Sequence, residues 1–182
     1  MKTIFLFLSL VALPFLAWGQ EDKIYYSLEE ALKQPDLVYK LDLSNSGLDS
    51  LPASIGQLQK LEKLDLNRTQ LSSLPAAIGQ LQQLKELYLW GNELSSLPES
   101  IGQLRQLKKL DLGDNQLQSL PAAIGQLQKL EKLWLSNNQL SSIPAAIGQL
   151  QQIVLLNLCE NQLSNTAKEE LRKQLPIIIL IL

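Results

Sequence analysis

The sequence predicts an α/β solenoid: about six to seven short parallel strands stacked side by side, joined by irregular or short helical turns, with a helix capping each end. The main evidence is a phrase of 23 residues, whose clearest copy runs from Leu84 to Gln106. Further copies start at Val38, Leu61, Leu107 and Leu130, and a sixth begins at Ile153. The tripeptide Gly-Gln-Leu also recurs every 23 residues, at positions 56, 79, 102, 125 and 148. Self-similarity at a fixed period of this size is typical of a solenoid.

Each repeat has two halves, with the skeleton L-x-x-L-x-L-x-x-N-x-L-x-x-L-P-x-x-I-G-Q-L-x-x. In the first half, leucines alternate with other residues at a period of two, which predicts a strand with Leu87 and Leu89 pointing inward. The second half must return the chain to the start of the next strand. There Pro98 fixes one backbone dihedral angle, and Ile101 points back inside. Gly102 is expected to adopt a backbone conformation that a Cβ would oppose.

This skeleton resembles the leucine-rich repeat, and its L-P-x-x-I-G-x-L half resembles the Ras-group-related subclass of that family. The resemblance covers residues 38–163, about six copies. It implies a curved horseshoe with the parallel sheet on its concave face. It also implies a non-enzymatic module that binds other proteins on that face, without naming the partner.

The first 19 residues are predicted to be a secretory signal peptide. Lys2 supplies a positive start, an apolar run follows, and Ala17 and Gly19 suit cleavage before Gln20. The mature chain is therefore expected to be exported: secreted, periplasmic or on the cell surface, with no membrane span of its own. The alternative, if this segment is not a cleaved signal, is an intracellular signalling scaffold.

Residues 20–37 are predicted to form an N-terminal cap. Ser27 and Glu30 have the spacing of a capping box, so a short helix is expected from Ser27 to Gln34, ended by Pro35. The alternative is a loosely attached tail.

Residues 164–182 are predicted to form a C-terminal cap, a helix from Ala167 to Leu175 followed by a final strand. Thr166 and Glu169 have capping-box spacing. Adding 23 to Leu156 and Leu158 places Ile179 and Ile181 inward in that strand. The outward residues would then be apolar and would adjoin Leu155: Ile178, Leu180 and Leu182. Such an edge could pair with a second copy of the chain to give a homodimer, or it could be a tightly packed final cap.

One asparagine recurs at the turn after each later strand, where backbone groups lack strand partners. Its amide can both donate and accept hydrogen bonds, so it is expected to satisfy them between adjacent repeats. The predicted structural ladder consists of Asn92, Asn115, Asn138 and Asn161. Ser46 and Thr69 occupy the same position in the first two repeats, where a looser ladder is expected.

Composition argues against several classes of function. The formal charge is −2, whereas a general nucleic-acid binder needs a basic face. Histidine is absent and Cys159 is the only cysteine, so serine–histidine and cysteine–histidine catalysis and a typical zinc site cannot be built. No catalytic residue, metal site or cofactor is predicted. Asp42 and Asp65 on adjacent strands are too few for a calcium cage and are expected to be neutralised by nearby lysines.

The outward strand positions form the predicted binding surface. Tyr88, Trp90 and Trp134 converge there around Asp111 and Gly113, and large aromatic side chains within a polar rim are typical of a binding hot spot. The predicted partner-binding set also includes Arg68 and Glu86. One alternative is that the aromatic side chains only cover neighbouring strands. A second is that they bind the sugar rings of a glycan on a cell surface.

Overall fold

The computed structural model describes residues 21–175 and 179–182. The predicted signal peptide and Ile178 lie outside these residues. The described strands form one parallel sheet of eight, in strict chain order. They are β1 (Ile24–Tyr25), β2 (Lys40–Asp42), β3 (Lys63–Asp65), β4 (Glu86–Tyr88), β5 (Lys109–Asp111), β6 (Lys132–Trp134), β7 (Leu155–Asn157) and β8 (Ile179–Ile181).

The predicted solenoid is confirmed, since each strand from β2 to β7 lies beside the next in a register of one repeat. Leu64 faces Leu87, and Leu87 faces Leu110, and all three are fully buried. The sheet has one strand more than expected. Strand β1 is only two residues long, and so short a segment has no periodicity to detect.

Short 3₁₀ turns return the chain on the convex side. Five of them lie one repeat apart: Ala53–Gln57, Ala76–Gln80, Glu99–Gln103, Ala122–Gln126 and Ala145–Gln149. Each follows a proline in extended conformation, such as Pro98 with φ −68°. The isoleucine of each turn is fully buried, as at Ile101 and Ile124. The leucine layer is therefore enclosed between the sheet and these turns.

The explanation predicted for Gly102 is wrong. Among the described glycines only Gly47 and Gly91 have a positive φ, so Gly102 needs no special backbone conformation. Instead, a Cβ at Gly102 would lie 2.6 Å from the backbone oxygen of Ala123, in the next turn. Glycine is required here because adjacent turns stack closely.

The asparagine side chains join neighbouring repeats. The Oδ1 atom of Asn115 accepts from the backbone N–H of Leu94 at 3.0 Å. Its Nδ2 donates to the oxygens of Leu89 at 2.9 Å and Leu112 at 3.1 Å. Thr69 is also fully buried, and its hydroxyl contacts Asn92 Oδ1 at 2.9 Å. The hydrogen-bonded ladder is therefore continuous from the second repeat onward, although a looser ladder was expected in both of the first two repeats.

A left-handed residue precedes each ladder position. The φ of this residue is between 53° and 71° in all six repeats: Asn45, Arg68, Gly91, Asp114, Asn137 and Glu160. Gly, Asn and Asp tolerate this region, whereas other residue types adopt it at a cost. The sequence therefore signals the turn in four repeats, and Arg68 and Glu160 adopt it against their preference.

The N-terminal cap contains helix α1 (Leu28–Leu32). The hydroxyl of Ser27 accepts from the backbone N–H of Glu30 at 3.4 Å, and Ala31 is fully buried. The helix ends at Leu32, before the predicted Gln34, and a 3₁₀ turn (Pro35–Leu37) follows.

The C-terminal cap begins with helix α2 (Asn165–Gln174). Its N-cap is Ser164, which accepts from the backbone N–H of Ala167 at 3.1 Å. The predicted N-cap, Thr166, is therefore two residues late. Leu171 and Leu175 are buried, as expected. No helix in the described ranges is both long and apolar enough to cross a membrane.

Strand β8 corrects a second prediction. Leu180, not Ile179, lies opposite the inward Leu156, so the spacing across this junction is 24 residues rather than 23. Leu180 and Leu182 pack against the core, and Ile181 is 37% exposed. The expectation that Leu180 and Leu182 point outward is therefore wrong, because helix α2 replaces a 3₁₀ turn and adds one residue.

Candidate functional site

The concave face carries three rows of outward side chains, one residue from each repeat. The first row is Lys40, Lys63, Glu86, Lys109, Lys132 and Leu155, and the middle row is Asp42, Asp65, Tyr88, Asp111, Trp134 and Asn157. The third row, two residues after the middle one, is Ser44, Asn67, Trp90, Gly113, Ser136 and Cys159. Members of one row are about 4.8 Å apart from strand to strand. The side chains of the first two rows are half-buried.

Tyr88 lies in the middle row between Asp65 and Asp111. Its hydroxyl donates to Glu86 Oε2 at 3.0 Å, and the Nζ atom of Lys63 lies 5.2 Å from the ring centroid. Burial, together with the hydrogen bond to Glu86 and nearby negative charges, raises the pKa of Tyr88 to about 12. The phenol therefore stays protonated and acts as a fixed donor.

Glu86 links the tyrosine to the next strand, because its Oε1 accepts from Lys109 Nζ at 2.7 Å. Burial alone would raise the pKa of Glu86. The hydrogen bonds from Lys109 and Tyr88, with the charges of Lys109 and Lys63, outweigh it and hold that pKa below its usual value. Glu86 is thus an ionised carboxylate already occupied by groups of this chain.

Trp90 is held through one backbone contact and two ring contacts. Its backbone N–H donates to Asn67 Oδ1 at 2.8 Å, and the guanidinium carbon of Arg68 lies 4.6 Å from the ring centroid. The indole rests against Gly113, where a Cβ would come within 2.9 Å of Trp90 Cδ1. Gly113 therefore provides the space for the ring.

Trp134 lies directly beside Asp111 in the middle row. Both side chains are half-buried. Within residues 21–175 and 179–182, no ion pair involves Asp111 and no cation contacts the Trp134 ring. In this respect Trp134 differs from Tyr88 and Trp90, which both have a cation of this chain at the ring.

The three middle-row aspartates share one geometry. The Oδ1 atom accepts from the backbone N–H two residues later: Ser44 at 3.0 Å from Asp42, Asn67 at 3.1 Å from Asp65, and Gly113 at 3.0 Å from Asp111. Burial, and then the charge of Asp42, raises the pKa of Asp65. Burial, and then the charge of Asp65, raises the pKa of Asp111. The middle row itself contains no lysine or arginine.

A charged hollow of ≈ 190 Å³ adjoins the first row, lined by Lys40, Glu62, Lys63, Lys85 and Glu86. Lys85 pairs with Glu62 at 2.7 Å, so part of its lining is internally neutralised. For the part of the chain that is described, no three His, Cys, Asp or Glu side chains are placed to hold a metal ion together.

The structure brings the predicted residues together, and it adds partners that the sequence did not indicate. Strands β4, β5 and β6 and the residues directly after β4 place on one face Tyr88, Trp90, Trp134, Glu86 and Asp111. The exposed Arg68 reaches that face from the turn after β3. The sequence analysis placed Gly113 among the aromatic residues but missed that it provides space for the Trp90 ring. It also missed the contact of Lys63 with the Tyr88 ring and the bond of Asn67 to the Trp90 backbone. Lys63 lies one repeat before Glu86, Asn67 lies one repeat before Trp90, and Gly113 lies one repeat after Trp90. This spacing was the signal in the sequence that could have placed them beside the aromatic residues.

An apolar patch ends the concave face at its C-terminal side. Val154 is 51% exposed and is followed by the half-buried Leu155, and Ile181, which is 37% exposed, lies on the next strand beside Asn157. In earlier repeats the positions of Val154 and Leu155 carry mostly charged residues, such as Glu131 and Lys132. The face is therefore charged at one end, aromatic in its centre and apolar at the other end.

Comparison with known proteins gives a consistent result. A family model described as a leucine-rich repeat region matches residues 82–177. A second family model, described as a leucine rich repeat, matches residues 36–94. A search of curated proteins returned no match.

The solved structures that are similar to this chain include three leucine-rich repeat proteins. A leucine-rich repeat protein of Leptospira interrogans is 39% identical with a TM-score of 0.76, over 84% of this chain and 39% of that one. The ectodomain of the Arabidopsis thaliana membrane receptor kinase GASSHO1/SCHENGEN3, solved in complex with CASPARIAN STRIP INTEGRITY FACTOR 2, is 32% identical with a TM-score of 0.68, over 87% and 19%. The leucine-rich repeat domain of the type III effector XopL is 33% identical with a TM-score of 0.66, over 72% and 47%. This chain therefore spans less than half the length of each of these proteins.

Proposed function

Because this chain belongs to the leucine-rich repeat family, whose fold is a typical protein-interaction module, we propose that it holds a protein or peptide on its concave face. In this proposal it is a non-enzymatic binding module. Tyr88, Trp90 and Trp134 are the anchors, and Arg68, Glu86 and Asp111 are the polar groups around them.

The observation that carries the proposal is the change of residue type at the centre of the sheet. In the first two repeats the middle and third rows hold Asp42, Asp65, Ser44 and Asn67. In the third and fifth repeats the same rows hold three large aromatic side chains: Tyr88, Trp90 and Trp134. A leucine-rich core gains nothing from an aromatic ring on its solvent side, whereas a partner that covers the ring removes apolar area from water.

The geometry suits an anchor surface because the rings are held before a partner arrives. The Trp90 ring lies between Arg68 and Gly113, and the Tyr88 ring is held by its hydrogen bond to Glu86. A side chain that is already ordered loses little conformational entropy on binding. The Arabidopsis receptor ectodomain solved with its partner supports a protein ligand by family likeness.

The test is a capture experiment from the native surroundings with three forms of the protein. They are wild type, the Trp90→Ala/Trp134→Ala double variant, and Tyr26→Ala, which removes an aromatic side chain that is 69% exposed and follows β1 at the N-terminal end of the sheet, three strands before β4. We expect wild type and Tyr26→Ala to capture the same partner, and the double variant to lose it while unfolding at a similar urea concentration. Equal capture by the double variant would refute the proposal.

A glycan partner is the alternative outcome of the same experiment. Sugar rings stack on exposed aromatic faces, but Arg68 already lies over the Trp90 ring. A glycan array read with wild type and the double variant distinguishes the two classes. Saturable glycan binding that depends on the tryptophans would replace the protein ligand.

Export is part of the proposal, with cleavage between Gly19 and Gln20. The apolar run with Lys2 at its start supports it, as does the similarity to a receptor ectodomain. N-terminal sequencing of the mature protein tests it, and a sequence beginning at Met1 in an intracellular fraction would favour a signalling scaffold.

A homodimer through the apolar C-terminal patch is the second proposed interaction. After the register correction its residues are Val154, Leu155 and Ile181, which could cover the same patch of a second copy. Light scattering of wild type and Ile181→Lys over a range of concentrations tests it. A monomer mass for wild type at every concentration would remove the dimer.

A further inference from the structure

We propose that the partner places a basic side chain, arginine or lysine, between Asp111 and Trp134, so that the ligand of the concave face is a basic segment. This inference rests on the proposed function and specifies the chemical class of its partner.

The three aromatic rings differ in their contacts with cations. Tyr88 has the ammonium of Lys63 at 5.2 Å from its ring centroid, and Trp90 has the guanidinium carbon of Arg68 at 4.6 Å. Aromatic faces attract cations through their quadrupole. Among the described residues Trp134 has no such cation, although it is an indole, the strongest of these ring types.

Asp111 is a fixed carboxylate on the same face. Its Oδ1 is held by the backbone N–H of Gly113 at 3.0 Å, which fixes the carboxylate on the face. In the described ranges the salt bridges join other residues, and none of them reaches Asp111. A half-buried carboxylate without a cation is stabilised when a ligand brings one, and this is charge complementarity at an otherwise open surface.

The charged groups around Asp111 do not remove this need. Lys109, on the same strand, is bonded to Glu86 at 2.7 Å. Asp65, the nearest carboxylate of the row, raises the pKa of Asp111 and so increases the need for positive charge. Lys132 precedes Trp134 by two residues and forms neither a salt bridge nor a ring contact in the described structure.

The pair selects a basic side chain rather than a metal ion. One carboxylate beside an indole offers too few oxygen ligands for calcium or magnesium. A guanidinium can instead donate to a carboxylate oxygen and stack on an aromatic face at the same time. Because the two residues are neighbours across adjacent strands, about 4.8 Å apart, one side chain can contact both.

The sequence supplies a conservative variant for the test. Asn157 occupies the middle row in the sixth repeat, and its Oδ1 accepts from the backbone N–H of Cys159 at 3.1 Å. Asp111→Asn should therefore keep the hydrogen bond to Gly113 and remove only the charge. Asp42→Asn is the matched control, because Asp42 has the same hydrogen bond but lies three strands away from Asp111.

The experiment uses the whole chain and a phage-displayed library of random peptides. Peptides selected on wild type and lost on Trp90→Ala/Trp134→Ala are sequenced, and the tightest is synthesised with each basic residue replaced in turn by glutamine. We expect enrichment in arginine and lysine. For one basic residue, replacement by glutamine should weaken binding about tenfold.

The decisive result is the double-mutant cycle between that basic residue and Asp111. Asp111→Asn should also weaken the parent peptide about tenfold, but it should have less than a twofold effect on the glutamine peptide, since the two groups act as one pair. Asp42→Asn should leave both affinities within about twofold. Additive losses, or an unchanged affinity on Asp111→Asn, would overturn the inference.

The two proposals fail in different ways. Selected peptides that need the tryptophans but show no basic enrichment would overturn the basic-segment inference and leave the concave binding face standing. A library that yields no peptide dependent on the tryptophans would count against both.

Discussion

Replacing the repeat glycine by alanine tests the close stacking of the convex turns. Gly102 and Gly148 occupy the same repeat position, within equivalent 3₁₀ turns, and neither has a positive φ. Alanine can therefore adopt the backbone conformation at both positions. The two sites differ in the distance from a new Cβ to its surroundings, so the pair isolates the effect of packing.

The structure gives the expected magnitudes. At Gly102 the Cβ would lie 2.6 Å from the oxygen of Ala123 and 2.8 Å from its Cβ, so the next turn must move away. Overpacking of this kind costs about 1–3 kcal/mol. At Gly148 the nearest atom is Gln174 Oε1 at 4.0 Å, an ordinary contact. There, alanine should stabilise the protein by about 0.4–1 kcal/mol, because it restricts the unfolded chain.

The assay is equilibrium unfolding in urea, followed by circular dichroism for wild type and the two single variants. We expect the midpoint to fall for Gly102→Ala and to stay or rise for Gly148→Ala, with unchanged slopes. The free energies of unfolding of the two variants should differ by about 1.5–4 kcal/mol. Equal losses at both positions would refute the reasoning, because the glycines would then be needed for a property that all repeats share.

Three further predictions use the same assay. Ser100→Ala should stabilise the protein by about 0.5–2 kcal/mol, because the Ser100 hydroxyl is buried without a hydrogen-bond partner in the described structure. Ser54→Ala, at a half-buried serine in the equivalent repeat position, is the control. A lower free energy of unfolding for Ser100→Ala would contradict the account. Glu160→Asn should stabilise by about 0.5–1 kcal/mol, because asparagine adopts the left-handed φ of 53° more readily; a destabilised variant would show that the glutamate side chain has another role. Because the pKa of Asp111 is raised in the folded state, its contribution to stability is present below its unfolded pKa and is lost as pH rises through its folded pKa. The free energy of unfolding of Asp111→Asn, measured relative to that of wild type, should therefore be higher at pH 7 than at pH 3. A difference of the opposite sign would contradict the raised pKa of Asp111.

The repeat region could be predicted from the sequence because its period fixes the geometry. Once Leu87 and Leu110 are recognised as equivalent, a strand, its register and its outward residues follow for every copy. The concave rows, including the neighbours Tyr88, Asp111 and Trp134, follow from counting alone.

The ends could not be predicted in the same way, because the period does not extend through them. Helix α2 adds one residue before β8, and a shift of one residue reverses which side chains of a strand face the core. Leu180 and Ile181 therefore exchanged their expected positions. Ser164 and Thr166 are both good N-caps, and local sequence did not distinguish them.

Side-chain contacts within the site are the other part that the sequence did not reveal. Counting places Lys63 and Arg68 near the aromatic residues, but it does not show that their cations lie at the rings of Tyr88 and Trp90. For that reason the sequence analysis could not show that Trp134 differs from the other two. The basic-segment inference became available only with these contacts.

The central claim is that the partner binds the concave face. The most direct measurement is a map of backbone amide and indole chemical shifts in the complex with the tightest selected peptide. The account predicts that the largest changes occur at Tyr88, Trp90 and Trp134, with small changes in the convex turns Ala76–Gln80 and Ala122–Gln126. Changes concentrated in those turns, with both indole signals unmoved, would contradict it.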